Sequence, residues 1–472
     1  MTDSRKMLIA GEWRPGSENF LVKSPYSGEE IASVSSANED EVIASINAAD
    51  EAAYAMRKLA RSEIAQGLRK IAGGLEARRE EFAGTIALEA AKPLIYARGE
   101  VDRAIATFTF AAGEAERFVG EVIPIDAQSN GRGKFGYTLR KPLGVIYGIT
   151  PFNFPLNLVA HKVAPALAAG NSIIIKPSPR TPITALLLGE VFLDSGLPAS
   201  ALQIVPSDVK YVDAVLKDDR VRMISFTGSA AVGWDLKARA AKKHIALELG
   251  GNAPVIVDEH ADDDKALART VTGAFAYSGQ VCISVQRVYV HESKFEGWSE
   301  KFVEQAAALR KGDPLDAETR LSVMIDEAAA KRAEEWVGEA VNGGAKLLTG
   351  SGRDGAFIDA HILTNTDPEM RVVSEEVFAP IAVVEPFSKF EDAVEMANFG
   401  KYGLQAGVFT RDLANANYAA EHLDFGGVLI NDAPTFRTDN MPYGGAKESG
   451  FGREGVRFAI EEMSERRVIV SE

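Results

Sequence analysis

The feature of this sequence that most constrains its fold is the alternation of short apolar runs with helix-patterned segments from Gly144 onward. Four of the runs have the length and β-branched content of buried strands: Gly144–Thr150, Ser172–Lys176, Ala201–Val205 and Val221–Phe226. Helix-patterned segments separate them, and Thr181-Pro182 has the form of an N-cap residue followed by a first-turn proline. This β-α-β order predicts a parallel, doubly wound sheet that binds ligands at the carboxyl ends of its strands.

A second alternating series follows Gly250-Gly251, which we take as the boundary between two units. The series has strand-like and helix-like members in turn, at Pro254–Val257, Asp262–Tyr277, Arg287–His291, Ala328–Asn342 and Ile381–Pro386. The predicted fold class is therefore α/β, with two doubly wound parallel-sheet domains.

The residues before Gly144 have a different pattern, because helices are predicted over Glu39–Leu59, Ser62–Ala77, a segment that ends before Pro93, and about 95–119. Residues Gly120–Lys141 alternate apolar and polar side chains around the turn signal Ser129–Gly133. This alternation predicts a hairpin that projects as a small β arm. The run Arg466–Val470 is predicted to be a last strand that is free to pair with another element.

The charge balance excludes several classes of function. The 472 residues include 52 basic and 67 acidic ones, a net charge of −15, whereas nucleic acids and anionic membranes are bound by basic faces. The apolar run Met7–Ala10 is too short for a signal peptide, and no run reaches the roughly 18–20 residues of a membrane span. The six histidines lack metal-site spacing. We predict a cytoplasmic protein with no metal, membrane or nucleic-acid partner.

Cys282 is the single cysteine of the chain, so it cannot form an intramolecular disulfide or a multi-thiol metal site. It follows a Ser-Gly-Gln turn, which predicts an exposed thiol, and it is one helix away from Glu248 in the apolar strand IALELGGN. Partial desolvation would raise the pKa of Glu248 toward a value suited to a general base. A nucleophile with its base, and a packing cysteine with a salt-bridged glutamate, are equally compatible with these residues.

Three further positions have both a chemical and an ordinary interpretation. Asn153 in GITPFNFP is held between two prolines, where its amide can donate to an oxyanion or simply form a turn. Gly228 lies in the strand-to-helix turn ISFTGSAAVG, which suits a phosphate but lacks the spacing of a dinucleotide fingerprint. Lys176 ends an apolar strand, where it can reach a ribose or remain a solvated edge lysine.

Taken together, nine segments resemble the aldehyde dehydrogenase superfamily, from Gly11 to the last strand. In order they are PFNFPLN, AGNSIIIKPS, GLP, SFTGSAAVG, LELGGN, GQVCIS, EEVFAPI, YGLQAGVFT and PYGGAKESGFGREG. The segments GQVCISVQR and DAPTFRTDNMPYGG are most similar to the semialdehyde and lactaldehyde dehydrogenase branch. The resemblance implies oxidation of an aldehyde to a carboxylic acid with NAD⁺ or NADP⁺.

The resemblance also implies residue roles. Cys282 corresponds to the nucleophile, Glu248 to the general base, and Asn153 to the oxyanion donor beside the backbone N–H of Cys282. Glu454 corresponds to a second carboxylate near the water path. The residues that correspond to cofactor contacts are Thr150, Pro151, Phe152, Lys176, Pro179, Gly228, Ser229, Glu376 and Phe378. Ala379 replaces the glycine that is more usual in that segment.

At the level of domains, the resemblance implies an NAD(P)-binding Rossmann-like domain over residues 1–119 and 142–249. A catalytic domain would cover 250–449. Residues 120–141 and 464–472 would form an oligomerisation arm that pairs across subunits of a homodimer or homotetramer. Pro179 stands where many NAD-preferring relatives place a glutamate on the ribose 2′-hydroxyl, so we expect NADP⁺ to be accepted, with its preference over NAD⁺ left open.

The substrate is expected to be a short polar aldehyde such as succinate semialdehyde, lactaldehyde or glyceraldehyde. Asn157 and His161 are one helical turn apart and are predicted to line a polar tunnel. Arg437, in PTFRTDN, can pair with a distal carboxylate or be a solvated loop residue. Two other functions stay open: a dehydrogenase that transfers the acyl group to coenzyme A, and a catalytically silent binding or structural protein on the same fold.

Overall fold

Two large sheets organise the chain in the computed structural model, which describes residues 3–472. The first sheet has eight strands, in the spatial order Gly450–Phe451, His244–Glu248, Val221–Thr227, Val145–Ile149, Ser172–Lys176, Leu202–Ile204, Met7–Ile9 and Glu12–Arg14. Its five central strands run parallel, and the strands at its edges are antiparallel. The four strands predicted between residues 144 and 226 are all central, so the predicted parallel sheet is confirmed.

The second sheet has seven strands. Their spatial order is Lys346–Thr349, His361–Thr364, Ile381–Phe387, Val285–His291, Ala253–Val257, Gln405–Phe409 and Gly427–Ile430. All neighbours run parallel except the outermost pair, formed by the first two strands of that order. The predicted class of an α/β fold with two parallel sheets is therefore confirmed.

The helices pack on both sheets and bury apolar faces against them. The α-helices are Glu39–Met56, Arg61–Ala77, Arg79–Ala90, Leu94–Arg117, Asn157–Ala168, Ile183–Leu193, Val212–Lys217, Ala230–Arg239, Asp263–Phe275, Phe295–Ala307, Glu327–Asn342, Arg371–Ser374, Phe390–Asn398, Leu413–His422 and Val456–Glu462. Short 3₁₀ turns occupy Ile125–Ala127, Ser129–Gly131, Ala199–Ala201, Val209–Tyr211 and Ala276–Gly279. Among residues 3–472, no helix is both long and apolar enough to cross a membrane.

The remaining strands form small sheets. Asp3–Arg5, Glu30–Ser36 and Glu18–Lys23 make one at the N-terminus, and two-stranded pairs join Arg353–Asp354 to Phe357–Ile358 and Tyr402–Gly403 to Ala446–Lys447. The predicted arm is an antiparallel sheet of Val122–Ile123, Phe135–Pro142 and Ser464–Ser471. The C-terminal strand thus pairs with the hairpin, and two 3₁₀ turns connect the hairpin strands. The domain boundaries given above remain a prediction.

One local prediction is wrong, because the helix Ile183–Leu193 is not capped by Thr181. Pro182 is its N-cap residue, and the buried carboxylate of Glu89 accepts hydrogen bonds from the backbone N–H groups of Ile183 and Thr184, at 2.8 and 2.9 Å. A carboxylate satisfies these donors and interacts favourably with the positive end of the helix. A residue distant in sequence therefore performs the task that the local pattern assigned to a neighbour.

Candidate active site

Cys282 lies where two cavities meet. The first cavity has a volume of about 270 Å³. Residues that follow the strands of the first sheet line it, and so do two residues of the EEVFAP segment. The lining includes Phe152, Asn153, Gly228, Ser229, Gly250, Glu376 and Phe378. The second cavity, also of about 270 Å³, is lined mainly by helical and loop residues, including Lys92, Arg103, Asn157, Tyr277, Val281, Arg437 and Tyr443. Cys282 lines both cavities, so its thiol can be reached from either one.

A strained segment between a helix and a strand holds Cys282 in this place. Tyr277 and Ser278 adopt left-handed conformations, with φ of 50° and 53°, which are uncommon for residues with a Cβ. Gly279 follows with φ of 67°, and a Cβ there would lie 2.1 Å from the carbonyl oxygen of Ala379. The Tyr277 hydroxyl donates to the Ala90 carbonyl at 2.9 Å. This anchor, together with a hydrogen bond from the Ser278 hydroxyl to a carbonyl, fixes the turn that presents the thiol.

The Cys282 thiol is less accessible than its turn predicts. The residue is only partly exposed, and burial raises the pKa of the thiol to about 11. The prediction of an exposed thiol is therefore wrong, because the cavities enclose it. The Tyr443 hydroxyl lies 3.1 Å from the sulfur and opposes this rise in pKa. The sequence reasoning missed Tyr443, which is 161 residues distant.

Asn153 is 3% exposed and, like Cys282, lines the first cavity. Its side-chain amide is not free, because one N–H donates to the backbone carbonyl of Gln280 at 2.9 Å. An Asn amide carries two N–H groups, so one donor remains. The bond also ties the loop that carries Asn153 to the segment that carries Cys282.

Glu248 ends the strand His244–Glu248 and is 5% exposed. Burial, and then the negative charge of Glu454, raises the pKa of the Glu248 carboxyl well above its ordinary value. Its Oε2 has no hydrogen-bond partner, and the structure shows no ion pair at this carboxylate. The interpretation of Glu248 as a salt-bridged structural residue is therefore wrong within the described residues.

Glu454 belongs to a buried network of charges beside Glu248. Its carboxylate lies 3.3 Å from Lys162 and 3.3 Å from Arg437. Burial disfavours the charged form, but Lys162, His161 and Arg437 outweigh it and lower the pKa of Glu454 to about 2. Two buried carboxyls thus have opposite shifts, which leaves Glu454 ionised and Glu248 poised to take up a proton.

Glu376 contributes a carboxylate to the first cavity. The backbone N–H of Gly251 donates to it at 2.9 Å, and burial raises its pKa to about 7. A Cβ on Gly250 would lie 2.4 Å from this carboxylate, so only glycine permits the approach. The rings of Phe152 and Phe378 meet edge to face at 6.0 Å. These groups form a narrow, largely apolar slot with one carboxylate, which fits a ribose and a flat ring.

The other predicted cofactor residues lie at the carboxyl edge of the first sheet. Ser229 precedes the helix Ala230–Arg239, whose first N–H groups can bind a phosphate. Lys176 is 8% exposed and lies on a central strand, so it is not a solvated edge lysine. Pro179 is exposed. Thr150, which follows the central strand Val145–Ile149, donates its backbone N–H to the Lys176 carbonyl.

The second cavity contains two of the three predicted substrate residues. Asn157 and Arg437 line it, whereas His161 is not among its lining residues and contacts Asp439 at 2.8 Å. Arg437 has a side chain only 5% exposed, so the alternative of a solvated loop arginine is wrong. Its Nε has no hydrogen-bond partner. Arg103, which the sequence reasoning missed, also lines the cavity and pairs with Asp439 at 2.7 Å.

Within residues 3–472 no cluster of three or more His, Cys, Asp or Glu residues is arranged to hold a metal ion. The site therefore combines a single thiol, a desolvated carboxyl and an amide donor with an adjoining cavity that contains one carboxylate and two aromatic rings.

Comparison with known proteins identifies the class to which this arrangement belongs. The chain belongs to the aldehyde dehydrogenase family, whose profile matches residues 13–469, and it is an NAD(P)-dependent enzyme of that family, which oxidises aldehydes. The predicted family is thus confirmed.

Individual relatives give a finer comparison. The chain is 41% identical to 3-sulfolactaldehyde dehydrogenase of Priestia aryabhattai over 98% of this chain and 97% of that protein. It is 42% identical, with a TM-score of 0.98, to aldehyde dehydrogenase 21 from Physcomitrella patens in complex with the reaction product succinate, covering 100% and 99% of the two chains. A glyceraldehyde-3-phosphate dehydrogenase from Methanocaldococcus jannaschii complexed with NADP is 38% identical, with a TM-score of 0.92 and coverage of 96% and 99%.

Proposed function

We propose that this enzyme oxidises a short polar aldehyde to its carboxylic acid through a covalent intermediate on Cys282. The observation that carries the proposal is the position of Cys282 in the linings of both cavities. An aldehyde in the second cavity and a nicotinamide in the first would meet at this thiol. Such an arrangement converts the oxidation into a reaction between groups already held in contact.

The first step is attack of the Cys282 thiolate on the aldehyde carbon. Because burial raises the pKa of the thiol to about 11, the sulfur must lose its proton, and the poised carboxylate of Glu248 is the acceptor. The oxyanion of the thiohemiacetal forms against the free N–H of Asn153 and the backbone N–H of Cys282. Removing one such donor typically costs about 10²–10³ in rate.

The second step forms and hydrolyses a thioester. Bound NAD(P)⁺ supplies the hydride acceptor in the first cavity, where Glu376 would hold a ribose hydroxyl and Phe152 and Phe378 the nicotinamide ring. Glu248 first releases to solvent the proton that it took from the thiol, and it then removes a proton from the water that attacks the thioester carbon. The tetrahedral intermediate expels Cys282 as the thiolate, which takes this proton back from Glu248, and the carboxylic acid is released.

The second cavity supports a substrate with an acidic end. The Nε–H of Arg437 is buried without a partner, which costs roughly 1–3 kcal/mol unless a ligand oxygen accepts from it. Succinate semialdehyde offers a carboxylate for this donor, and lactaldehyde or glyceraldehyde a hydroxyl. The reaction product succinate in the complex of the Physcomitrella patens relative supports the first of these.

Replacing Arg437 with alanine should therefore lower kcat/KM for succinate semialdehyde about 10- to 100-fold more than for butanal, the neutral aldehyde of equal chain length. The reason is that a hydrogen bond between charged groups is lost for one substrate alone. The two kcat/KM values, measured for both enzymes, give the ratio directly, and general damage to the site cancels in it. An unchanged ratio would exclude Arg437 as the acid-binding residue.

For the cofactor we propose that NADP⁺ is accepted as well as NAD⁺. Pro179 carries no charge to repel a 2′-phosphate, and two solved structures similar to this chain are complexed with NADP. Pro179→Glu should lower kcat/KM for NADP⁺ relative to NAD⁺ at least about tenfold, because a carboxylate would face the phosphate. Glutamine has the size of glutamate but no charge, so Pro179→Gln should change the ratio of the two kcat/KM values little. A parent enzyme that favours NAD⁺ more than about tenfold would refute the proposal.

We further propose that the arm joins subunits in a homodimer or homotetramer. Val122, Phe135, Val468 and Val470 on the arm sheet are each at least half exposed, an unusual concentration of apolar side chains for a surface. Light scattering should give a mass of two or four chains. The double variant Val122→Lys, Val470→Lys should reduce that mass. The control variant Leu413→Lys places a charge at an exposed residue far from the arm in sequence, and it should leave the mass unchanged. A monomeric parent enzyme would contradict this proposal.

An assay of aldehyde oxidation separates the proposed function from the alternative of acyl transfer to coenzyme A. An acylating dehydrogenase would form an acyl-coenzyme A when coenzyme A is added, whereas hydrolysis through Glu248 yields the free acid regardless. A panel of aldehydes tested with both cofactors, with and without coenzyme A, therefore decides between the two reactions.

A further inference from the structure

We propose that Tyr443 is a further catalytic residue, whose phenol O–H donates a hydrogen bond to the Cys282 thiolate and favours its formation. The inference rests on the proposed role of Cys282 as nucleophile. Its basis is the 3.1 Å separation of the Tyr443 oxygen and the Cys282 sulfur inside the second cavity.

The backbone of Tyr443 is held firmly enough to aim its hydroxyl. Tyr443 and Glu454 exchange two backbone hydrogen bonds, at 3.0 and 2.7 Å. The ring is 4% exposed, and the Arg437 guanidinium carbon lies 3.6 Å from its centre. A cation over the ring draws electron density from the phenol and makes its O–H a stronger donor. The backbone hydrogen bonds with Glu454 thus fix the position of Tyr443, and the Arg437 cation polarises its O–H group.

The hydrogen bond acts differently on the two forms of the sulfur. With a protonated thiol, either atom can be the donor. A thiolate has no proton, so the phenol must donate, and the bond becomes charge-assisted and stronger. Burial raises the pKa of Tyr443 well above its ordinary value, so the phenol keeps its proton while Cys282 loses one to Glu248. No proton moves from Tyr443, and the bond opposes the effect of burial on the thiol.

The role of Tyr443 also differs from the proposed role of Arg437. A donor to the nucleophile assists attack on every aldehyde, whatever the other end of the substrate carries. Loss of the Tyr443 hydroxyl should therefore lower kcat/KM equally for succinate semialdehyde and butanal, in contrast to Arg437→Ala.

The single cysteine of the chain permits a direct test, because alkylation by iodoacetamide, followed by intact mass, reports on Cys282 alone. Between pH 7 and 9, where the thiol is largely protonated, Tyr443→Phe should slow alkylation about 10- to 100-fold at each pH. Tyr289→Phe removes another buried phenol, which contacts the Met396 carbonyl, and should leave the alkylation rates unchanged. A purely structural loss would lower thermal stability or NADP⁺ affinity without displacing the alkylation profile.

Alkylation of Tyr443→Phe at the parent rate, in a folded variant that binds NADP⁺, would overturn the inference. Should the phenylalanine variant fail to fold, Tyr443→3-fluorotyrosine retains the hydroxyl with a more acidic proton. It should speed alkylation, and unchanged or slower alkylation would refute the role. Cys282→Ala separates failure of the proposed function from failure of the Tyr443 inference. Activity in Cys282→Ala refutes the proposed function. An inactive Cys282→Ala, together with an unchanged alkylation rate in Tyr443→Phe, refutes only the role of Tyr443.

Discussion

Replacing Cys282 with alanine should abolish aldehyde oxidation, by on the order of 10⁴-fold or more, while NADP⁺ still binds. The covalent route is lost because no other thiol exists in the chain. Cofactor binding should persist because the remaining lining of the first cavity is unchanged. The measurements are steady-state reduction of NADP⁺ with succinate semialdehyde and cofactor affinity by calorimetry.

The matched control for this variant is Ser284→Ala. Ser284 lies in the same segment, and its hydroxyl donates to backbone carbonyls rather than lining either cavity. Its activity should remain close to that of the parent enzyme. If Cys282→Ala kept more than about one per cent of the parent rate, the thiol would not be the nucleophile.

Replacing Glu248 with glutamine should slow turnover about 10²- to 10⁴-fold by removing the general base that hydrolyses the thioester. If water replaces Glu248 as the acceptor of the thiol proton in this variant, the acyl-enzyme still forms. It then accumulates, because its hydrolysis is slow. Rapid mixing should then show a burst of about one equivalent of reduced cofactor per active site, followed by a slow phase.

The pH dependence gives an independent check on Glu248. Its pKa is raised by burial and by the charge of Glu454, and only the carboxylate form can accept a proton. Parent activity should therefore rise as the pH increases through this raised pKa, and Glu248→Gln should lose that rise. Glu385→Gln is the matched control, since burial also raises the pKa of Glu385 but its carboxylate accepts hydrogen bonds from Thr366 and lines neither cavity. Normal turnover by Glu248→Gln without a burst would refute its assignment.

Local patterns predicted four of the central strands of the first sheet and three of the seven strands of the second sheet. Ser172–Lys176, for example, is buried on both faces and has three successive isoleucines at its centre, and its boundaries were predicted without error. The arm was also predictable, because the alternation of apolar and polar side chains around a turn lies within one short segment of sequence. Cys282, Glu248 and Asn153 were found through multi-residue segments rather than through any single property.

The features that escaped prediction all depend on contacts between distant residues. Tyr443, for example, meets Cys282, 161 residues away in sequence, only when the chain is folded. Arg437 is likewise buried in the folded chain, where it pairs with Glu454 and lies over the ring of Tyr443. Glu89 replaced Thr181 at a helix N-terminus because a buried carboxylate reached it from another helix. No short-range pattern carries information about such encounters.

The junction of the two cavities also has a consequence for how this enzyme can diversify. Among the described residues the two linings share Cys282 and Leu158, so the wall proposed to recognise the tail of an aldehyde is almost wholly separate from the wall proposed to hold the nucleotide. Mutations on one wall can accumulate without spoiling the fit on the other. An ancestral scaffold of this design could adopt new metabolites while its electron acceptor stayed the same.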